Sequence, residues 1–306
     1  VIAIPRLPQA GCTDRPFLLA APALKAEGET GVFENNVSRR GFVTGAAAVA
    51  GLAGLSTIAP GLAGADPKIG DQHREEEFAA SDVSAAALMT FQKIDGTPVY
   101  YWRSNRGNTT ARNWQATDAF YNALVAWIRD LRSLSSSYGS ISYIVSAGFY
   151  VNKAGQHGAG TAMDLDHVRW SGGNTISPLD RAHASGTASV RKRYLATEAV
   201  CRRRFRYVLD GWYNADHADH IHADFGGMPV RAVKDSESDT KFVQAVCNNF
   251  RGSGLAIDGI WGPATTSAFN GLKSALAVTG DPHTSSSVWQ SMLSKIATKG
   301  FANQNI

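Results

Sequence analysis

His157-Gly158-Ala159-Gly160-Thr161-Ala162-Met163-Asp164 sets an imidazole and a carboxylate at the two ends of a run of very small residues. If Thr161 to Leu165 is a strand, Ala162 and Asp164 share a face, and the carboxylate can point to whatever His157 holds. Small side chains in the loop let the backbone pass close to a bound ion. A second stretch, His217-Ala218-Asp219-His220-Ile221-His222, gathers three more of the eight histidines, with His220 and His222 on one face of a strand. Catalytic tetrahedral zinc needs three protein ligands and one open position for water, and His157, Asp164 and His222 supply the three. A carboxylate among the ligands lowers the charge of the site while leaving the ion able to acidify water. Asp219 and His220 remain as catalytic candidates, for a general base or for stabilising an oxyanion.

The flanking sequence predicts the scaffold. Phe120, Leu124, Trp127 and Leu131 recur at spacings of four, three and four, which is one apolar stripe on a helix. The serine run Ser133 to Ser137 with Tyr138-Gly139 ends it, and Ile141 to Val145 has strand composition. Residues 171–190 read as a Gly/Ser/Thr/Asn loop, Arg191 to Arg204 as a helix, and Phe205 to Leu209 as a strand stopping at Asp210-Gly211. The expected fold is an α+β catalytic domain over 87–230, with a small antiparallel sheet and packed helices. The polar stretch 231–240 is expected to be a linker to a small all-α, three-helix domain over 241–306.

In that C-terminal part, Asp258-Gly259 and Gly262-Pro263 make two turns, Thr265 or its neighbours start a helix, and Phe269 and Leu272 lie on its inner face. A last helix from Ser285 places Val288, Met292 and Leu293 inward and leaves Trp289 for packing or sugar contact.

Near the N-terminus, Ser38-Arg39-Arg40-Gly41-Phe42-Val43 precedes an Ala/Gly-rich apolar run and the small-residue site Ala63-Gly64-Ala65. This resembles a twin-arginine signal peptide over 38–65 with Asp66 as the mature start, and no membrane anchor after cleavage. Residues 66–86 read as a linker. Residues 1–37 show no periodicity and read as an over-extended gene start, translation beginning at Val32 or Val37. The net charge of +4 is scattered apart from Arg202-Arg203-Arg204, which speaks against nucleic acid as a partner. Of the three cysteines, Cys12 falls in the discarded region; an exported location permits a Cys201–Cys247 bridge, but two buried thiols are preferred because nothing in the sequence sets their separation.

The pattern His157-x-x-Gly160-x-Ala162-x-Asp164 followed by His220-x-His222 resembles the LAS metallopeptidases of peptidoglycan, and the spacing His217, His220, His222 is most similar to their murein endopeptidase and extensin-like C-terminal branches. The resemblance spans roughly residues 140–225. It implies zinc on His157, Asp164 and His222, with His220 in the active site and Asp219 where relatives place an acidic base. Carboxypeptidase relatives carry an arginine ahead of the first histidine to bind a free carboxylate. Here that stretch reads Ser146-Ala147-Gly148-Phe149-Tyr150, with no arginine between Arg132 and Arg169, which favours internal cleavage unless Lys153 substitutes. Likewise Asp258-Gly259-Ile260-Trp261-Gly262-Pro263-Ala264-Thr265 resembles a signature of peptidoglycan-binding domains.

The expectation is therefore a secreted, monomeric zinc peptidase of the cell wall whose partner is peptidoglycan. The alternative is a zinc-containing wall-binding protein without turnover. A sugar-cleaving hydrolase needs an acidic pair for which no signature exists. Asp166-His167 is expected to be an exposed pair, His217 has a solvated neighbour as its plain alternative, and His73, His183 and His283 are given no role. The intact mass of the cytoplasmic precursor is expected to correspond to a start at Val32 or Val37; residues upstream of Val32 in that mass overturn the assignment.

Overall fold

The computed structural model describes residues 87–225 and 230–306. The signal segment, the preceding residues 1–37, the linker at 66–86, Cys12 and His73 lie outside the described residues.

The chain enters a two-stranded antiparallel pair, β1 (Leu88–Phe91) with β4 (Trp114–Thr117), which brackets β2 (Lys93–Ile94) and β3 (Thr97–Tyr100). Helix α1 (Asp118–Leu134) follows at once, because Thr117 caps it by accepting from the Phe120 amide at 3.3 Å. Its buried residues Phe120, Leu124, Trp127 and Leu131 are the stripe read from the sequence, joined by Ile128. Next come β5 (Ile141–Gly148), β6 (Ala162–Trp170), β7 (Thr175–Ile176), α2 (Ala188–Arg202), β8 (Tyr207–Leu209) and β9 (Ile221–Asp224). The larger sheet runs β2-β3-β5-β6-β9-β8, with β7 also on β6. It is mixed, since β3 and β5 are parallel and the other pairs antiparallel.

Alternation gives this sheet two unlike faces. Ile144, Met163, Leu165, Val168, Val208, Ile221 and Ala223 point into one core with the inner residues of α1 and α2. Asp164, Asp166, His222 and Asp224 occupy the opposite face. The expected α+β class is present, but beside the small antiparallel pair the main sheet is larger and mixed, where only a small antiparallel sheet was expected. The stretch 171–190 departs from a plain loop, for it contains β7, two single 3-10 turns and the first residues of α2.

Three helices complete the chain: α3 (Glu237–Arg251), α4 (Pro263–Ala275) and α5 (Ser286–Phe301). They do not stand apart as a three-helix domain among the described residues, which all fall in one compact unit. Helix α5 packs on α2 so closely that a Cβ at Gly300 would lie 2.5 Å from the Lys192 carbonyl oxygen. Trp289, left open between packing and sugar contact, is buried at this core. The expected linker at 231–240 holds the capped start of α3, where Ser236 accepts from the Asp239 amide and Ser238 and Asp239 are buried.

A charged cluster explains that burial. Arg202 donates to Glu198 Oε1 at 2.8 Å, Asp239 Oδ1 at 2.7 Å and the Val208 carbonyl at 2.8 Å, so one guanidinium ties α2, β8 and α3 together. Arg206 reaches the other oxygen of Asp239 at 3.3 Å. Glu198, Asp210 and Asp239 gather three carboxylates near two guanidiniums, and burial, together with the proximity of Asp210, pushes the Glu198 carboxyl well above the usual carboxylate range against the pull of Arg202. Cys201 and Cys247 are both free and buried, as preferred from the sequence.

Because the raised group binds its proton more tightly when folded, its stabilising effect is complete at acid pH and is lost as pH climbs above the ordinary glutamate value of 4.5. Glu198→Gln keeps the acceptor for Arg202 without a proton to lose. Its unfolding free energy relative to the parent is expected to improve with rising pH, by at most about 1.4 kcal/mol per unit, read from denaturant melts across the neutral range.

Candidate metal centre

The centre starts from strand register. On β6 and β9, Asp164 lies directly opposite His222, and their side chains meet on the face away from the helices, Asp164 Oδ1 at 2.9 Å from His222 Nδ1. On the other flank of β6, Asp164 faces Gly148 of β5. A Cβ at Gly148 would lie 3.9 Å from Asp164 Oδ2, so glycine leaves the carboxylate open on that side.

His157 arrives on the loop between β5 and β6, and the small residues there have a different use from the one expected. A Cβ at Gly158 would fall 1.6 Å from the Lys153 carbonyl oxygen. Gly160 has φ +71°, and its Cβ would lie 2.6 Å from Leu88 and 3.3 Å from the Thr117 amide. The glycines thus let backbone pass backbone, folding the loop on itself and against the β1–β4 pair; Thr117 N–H donates to the Gly160 carbonyl at 2.9 Å.

His157 Nε2 comes to 3.1 Å from Asp164 Oδ1, and His157, Asp164 and His222 each offer one ligand atom within 4.8 Å of the others. The predicted ligand set is therefore brought together from three separate stretches. The ring atoms facing away are already committed: His157 Nδ1 is 2.5 Å from the Phe149 carbonyl and His222 Nε2 is 3.0 Å from Asp224 Oδ2. With these partners on the far nitrogens, the near nitrogens are the ones turned to Asp164, and a metal ion would take the place of any proton held between them. Carboxylate or carbonyl partners of this kind orient metal-bound imidazoles. Two nitrogens and one carboxylate oxygen with room for a fourth group are a donor set that suits zinc.

Without an ion, the three groups compete for protons. Burial opposes charge on His222, but Asp164 and Asp224 outweigh it and push the imidazole up to about 10. Burial likewise opposes ionisation of Asp164, and the hydrogen bonds of His157 and His222 hold it well below the usual range.

His220 stands beside this cluster and not in it. Its Nε2 is 3.7 Å from Asp164 Oδ1, beyond hydrogen-bond reach, and its Nδ1 is 2.9 Å from Asp219 Oδ1. Burial works to raise Asp219, yet Arg103 and His220 lower it below its ordinary value. His217 does not match the alternative of a solvated neighbour. It is half-buried, its ring centroid lies 5.1 Å from that of His220 and 5.9 Å from that of His222, and Asn214 Oδ1 holds its Nδ1 at 2.7 Å. Burial, with the neighbouring imidazoles, pushes it down to about 3, so it stays neutral.

The pair Asp166-His167, expected to be exposed, is buried. Asp166 receives Arg103 Nε at 2.9 Å and Nη2 at 2.7 Å. The His167 ring packs 4.8 Å from Trp102, and its burial lowers it to about 4. Arg103 and Asp224 are the site groups that sequence reasoning missed. His222-x-Asp224 on one strand could have disclosed the second by alternation. Nothing near Arg103 marks it, because it reaches the centre from the end of β3. Of the histidines given no role, His183 is buried against Tyr194 and Trp212, and His283 bonds the Ala232 carbonyl, both away from this cluster.

A family model described as the C-terminus of extensin-like proteins matches residues 136–231, a span that holds the three metal-site residues with Asp219 and His220 but neither Arg103 nor the last three helices. No curated protein and no solved structure matches the chain.

The protein is expected to bind one zinc ion, and His157→Ala, Asp164→Ala and His222→Ala each to lose it. Since His222 holds a proton that metal must displace, zinc uptake is expected to release a proton and to strengthen with rising pH. Titration calorimetry in two buffers of different ionisation heat measures this directly.

Proposed function

We propose that this chain is a zinc-dependent peptidase that cuts peptide bonds in peptidoglycan, most simply inside stem or cross-link peptides. The observation that carries the reading is the His157–Asp164–His222 cluster, whose imidazoles have their far nitrogens bonded in advance, next to a histidine whose inner nitrogen is uncommitted. The match of residues 136–231 to the extensin-like model places no substrate, and the wall assignment rests on the motif resemblance in this same span.

Zinc held by those residues supplies Lewis acidity toward a carbonyl and a water made nucleophilic near neutral pH. The chain supplies the rest. His220 Nε2 faces the centre with a free lone pair, takes a proton from the attacking water and returns it to the departing amine. Asp219 accepts the Nδ1 proton of His220, fixes the ring and balances the charge that forms on it. As a base Asp219 is the poorer candidate, since Arg103 lowers its basicity. His217, neutral and close, lines the site as a hydrogen-bonding group.

Internal cleavage is favoured by how the nearby guanidinium is used. Arg103 donates to two carboxylates, Asp166 and Asp219, so it does not present an open fork to the terminal carboxylate of a peptide.

The segment 241–306 is proposed to bind wall polymer. Its Asp258-to-Thr265 motif is consumed in folding: Gln244 Nε2 donates to Asp258 Oδ1 at 2.8 Å and Thr265 Oγ1 at 3.2 Å, and its Oε1 accepts from the Gly259 amide at 3.1 Å. Polymer contact is proposed for the motif's one exposed large apolar side chain, Ile260, or for the cavity of about 260 Å³ between α4 and α5 that Leu276, Lys295 and Lys299 help to line. Among the described residues no helix is long and apolar enough to cross a membrane. We further propose export by the twin-arginine route.

Zinc-loaded protein is expected to release muropeptides from purified sacculi, seen as turbidity loss and by mass spectrometry of products. Chelation, His157→Ala and His222→Ala should abolish release, and His220→Ala should lower it by about 10²- to 10⁴-fold. Release that persists in the chelated protein rejects the reading. Binding to sacculi with unchanged muropeptides supports the wall-binding alternative instead.

A further inference from the structure

We propose that Arg103 is a positioning residue: by bridging buried Asp166 to Asp219 it holds the Asp219 carboxylate against Nδ1–H of His220, and thereby keeps the bare Nε2 of His220 turned toward the metal centre. What His220 then does chemically rests on the peptidase reading, but the clamp itself does not.

The geometry is that of a planar fork used on two sides. Arg103 Nε and Nη2 take both oxygens of Asp166 at 2.9 and 2.7 Å, while Nη1 and Nη2 take both oxygens of Asp219 at 2.5 and 3.2 Å. Nη2 also reaches the Asp219 carbonyl at 3.3 Å. Asp166 is the anchor. Its side chain is 0% exposed, and it sits on β6 two residues beyond the ligand Asp164, at the bulge between Leu165 and His167. Asp219 is the load. It belongs to the turn before β9, and its side chain is 40% exposed.

A carboxylate that open to water, on a turn, has several rotamers and solvent partners available to it. His220 Nδ1 then has water as a competing partner, and the ring can turn or exchange tautomers. With both Asp219 oxygens taken by the guanidinium, only the lone pair directed at His220 remains useful, at 2.9 Å. The chain of contacts Asp166–Arg103–Asp219–His220 thus connects the strand bearing one ligand to the residue two positions before another. Lysine cannot reproduce it, because a single ammonium lacks the coplanar donors needed to grip two carboxylates at once.

The test uses the full zinc-loaded protein labelled with ¹⁵N in histidine, and reads imidazole nitrogen spectra beside zinc content and muropeptide release from sacculi. In the parent, His220 is expected to show one tautomer, protonated on Nδ1. In Arg103→Ala that signature is expected to be lost and release to fall about 10- to 100-fold at unchanged zinc stoichiometry, with added guanidinium restoring both. Arg103→Lys keeps a cation beside Asp166 and so guards against unfolding, and it too is expected to lose the single tautomer. The proposal is overturned if His220 keeps its Nδ1 proton in Arg103→Lys, or if zinc is lost together with the rate, since that marks a general structural role. Failure of the parent to release muropeptides tells against the peptidase reading alone, because the spectra still decide the clamp.

Discussion

Asp164 and His222 face each other across two antiparallel strands, and the 2.9 Å contact between carboxylate and imidazole is the constraint around which the site is organised. Because strand residues alternate, the register that joins them also sends Met163, Leu165, Ile221 and Ala223 into the core. A slip of one residue would put the acid and the imidazole among the helices and the apolar side chains in water. Core packing and ligand geometry are therefore enforced by the same pairing, and the metal centre inherits the stability of the central sheet.

The groups that touch these residues from behind follow from the same strands. Asp224 stands two residues from His222 and takes its outer nitrogen, the Phe149 carbonyl takes that of His157, and Asp166 stands two residues from Asp164 and takes Arg103. Three acids, Asp164, Asp166 and Asp224, thus gather around two imidazoles. The cluster compensates by holding a proton on His222 and by importing a guanidinium. His217 and His167 show the opposite solution, remaining neutral in places where burial makes a charge costly.

Behind the site, the Glu198–Arg202–Asp239 cluster joins α2 to α3 and carries α4 and α5 with it. The turn bearing Tyr213 is held from the same side, since Lys241 of α3 donates to its carbonyl at 2.8 Å. Breaking a buried charge pair by removing one partner typically costs about 3–5 kcal/mol, so the last helices behave as part of the support of the histidine-bearing turn. They are packed into the same body as the His157–Asp164–His222 cluster.

Local pattern was enough to disclose the helix at Phe120 to Leu131, the strand at Ile141 to Val145, the α+β class and the set His157, Asp164 and His222, because periodicity and close spacing are properties of the chain alone. It also marked Asp219 and His220. What only the folded molecule decided was which charges meet over distance. Arg103 crosses from beyond the end of β3 to acids at 166 and 219, Asp166 and His167 are covered by residues remote in sequence, and within the apparent linker at 231–240 Ser238 and Asp239 are buried against Arg202. Side-chain periodicity carries information about a neighbour a few residues away, whereas burial and ion pairing depend on which strands become adjacent, and that is set by the sheet as a whole.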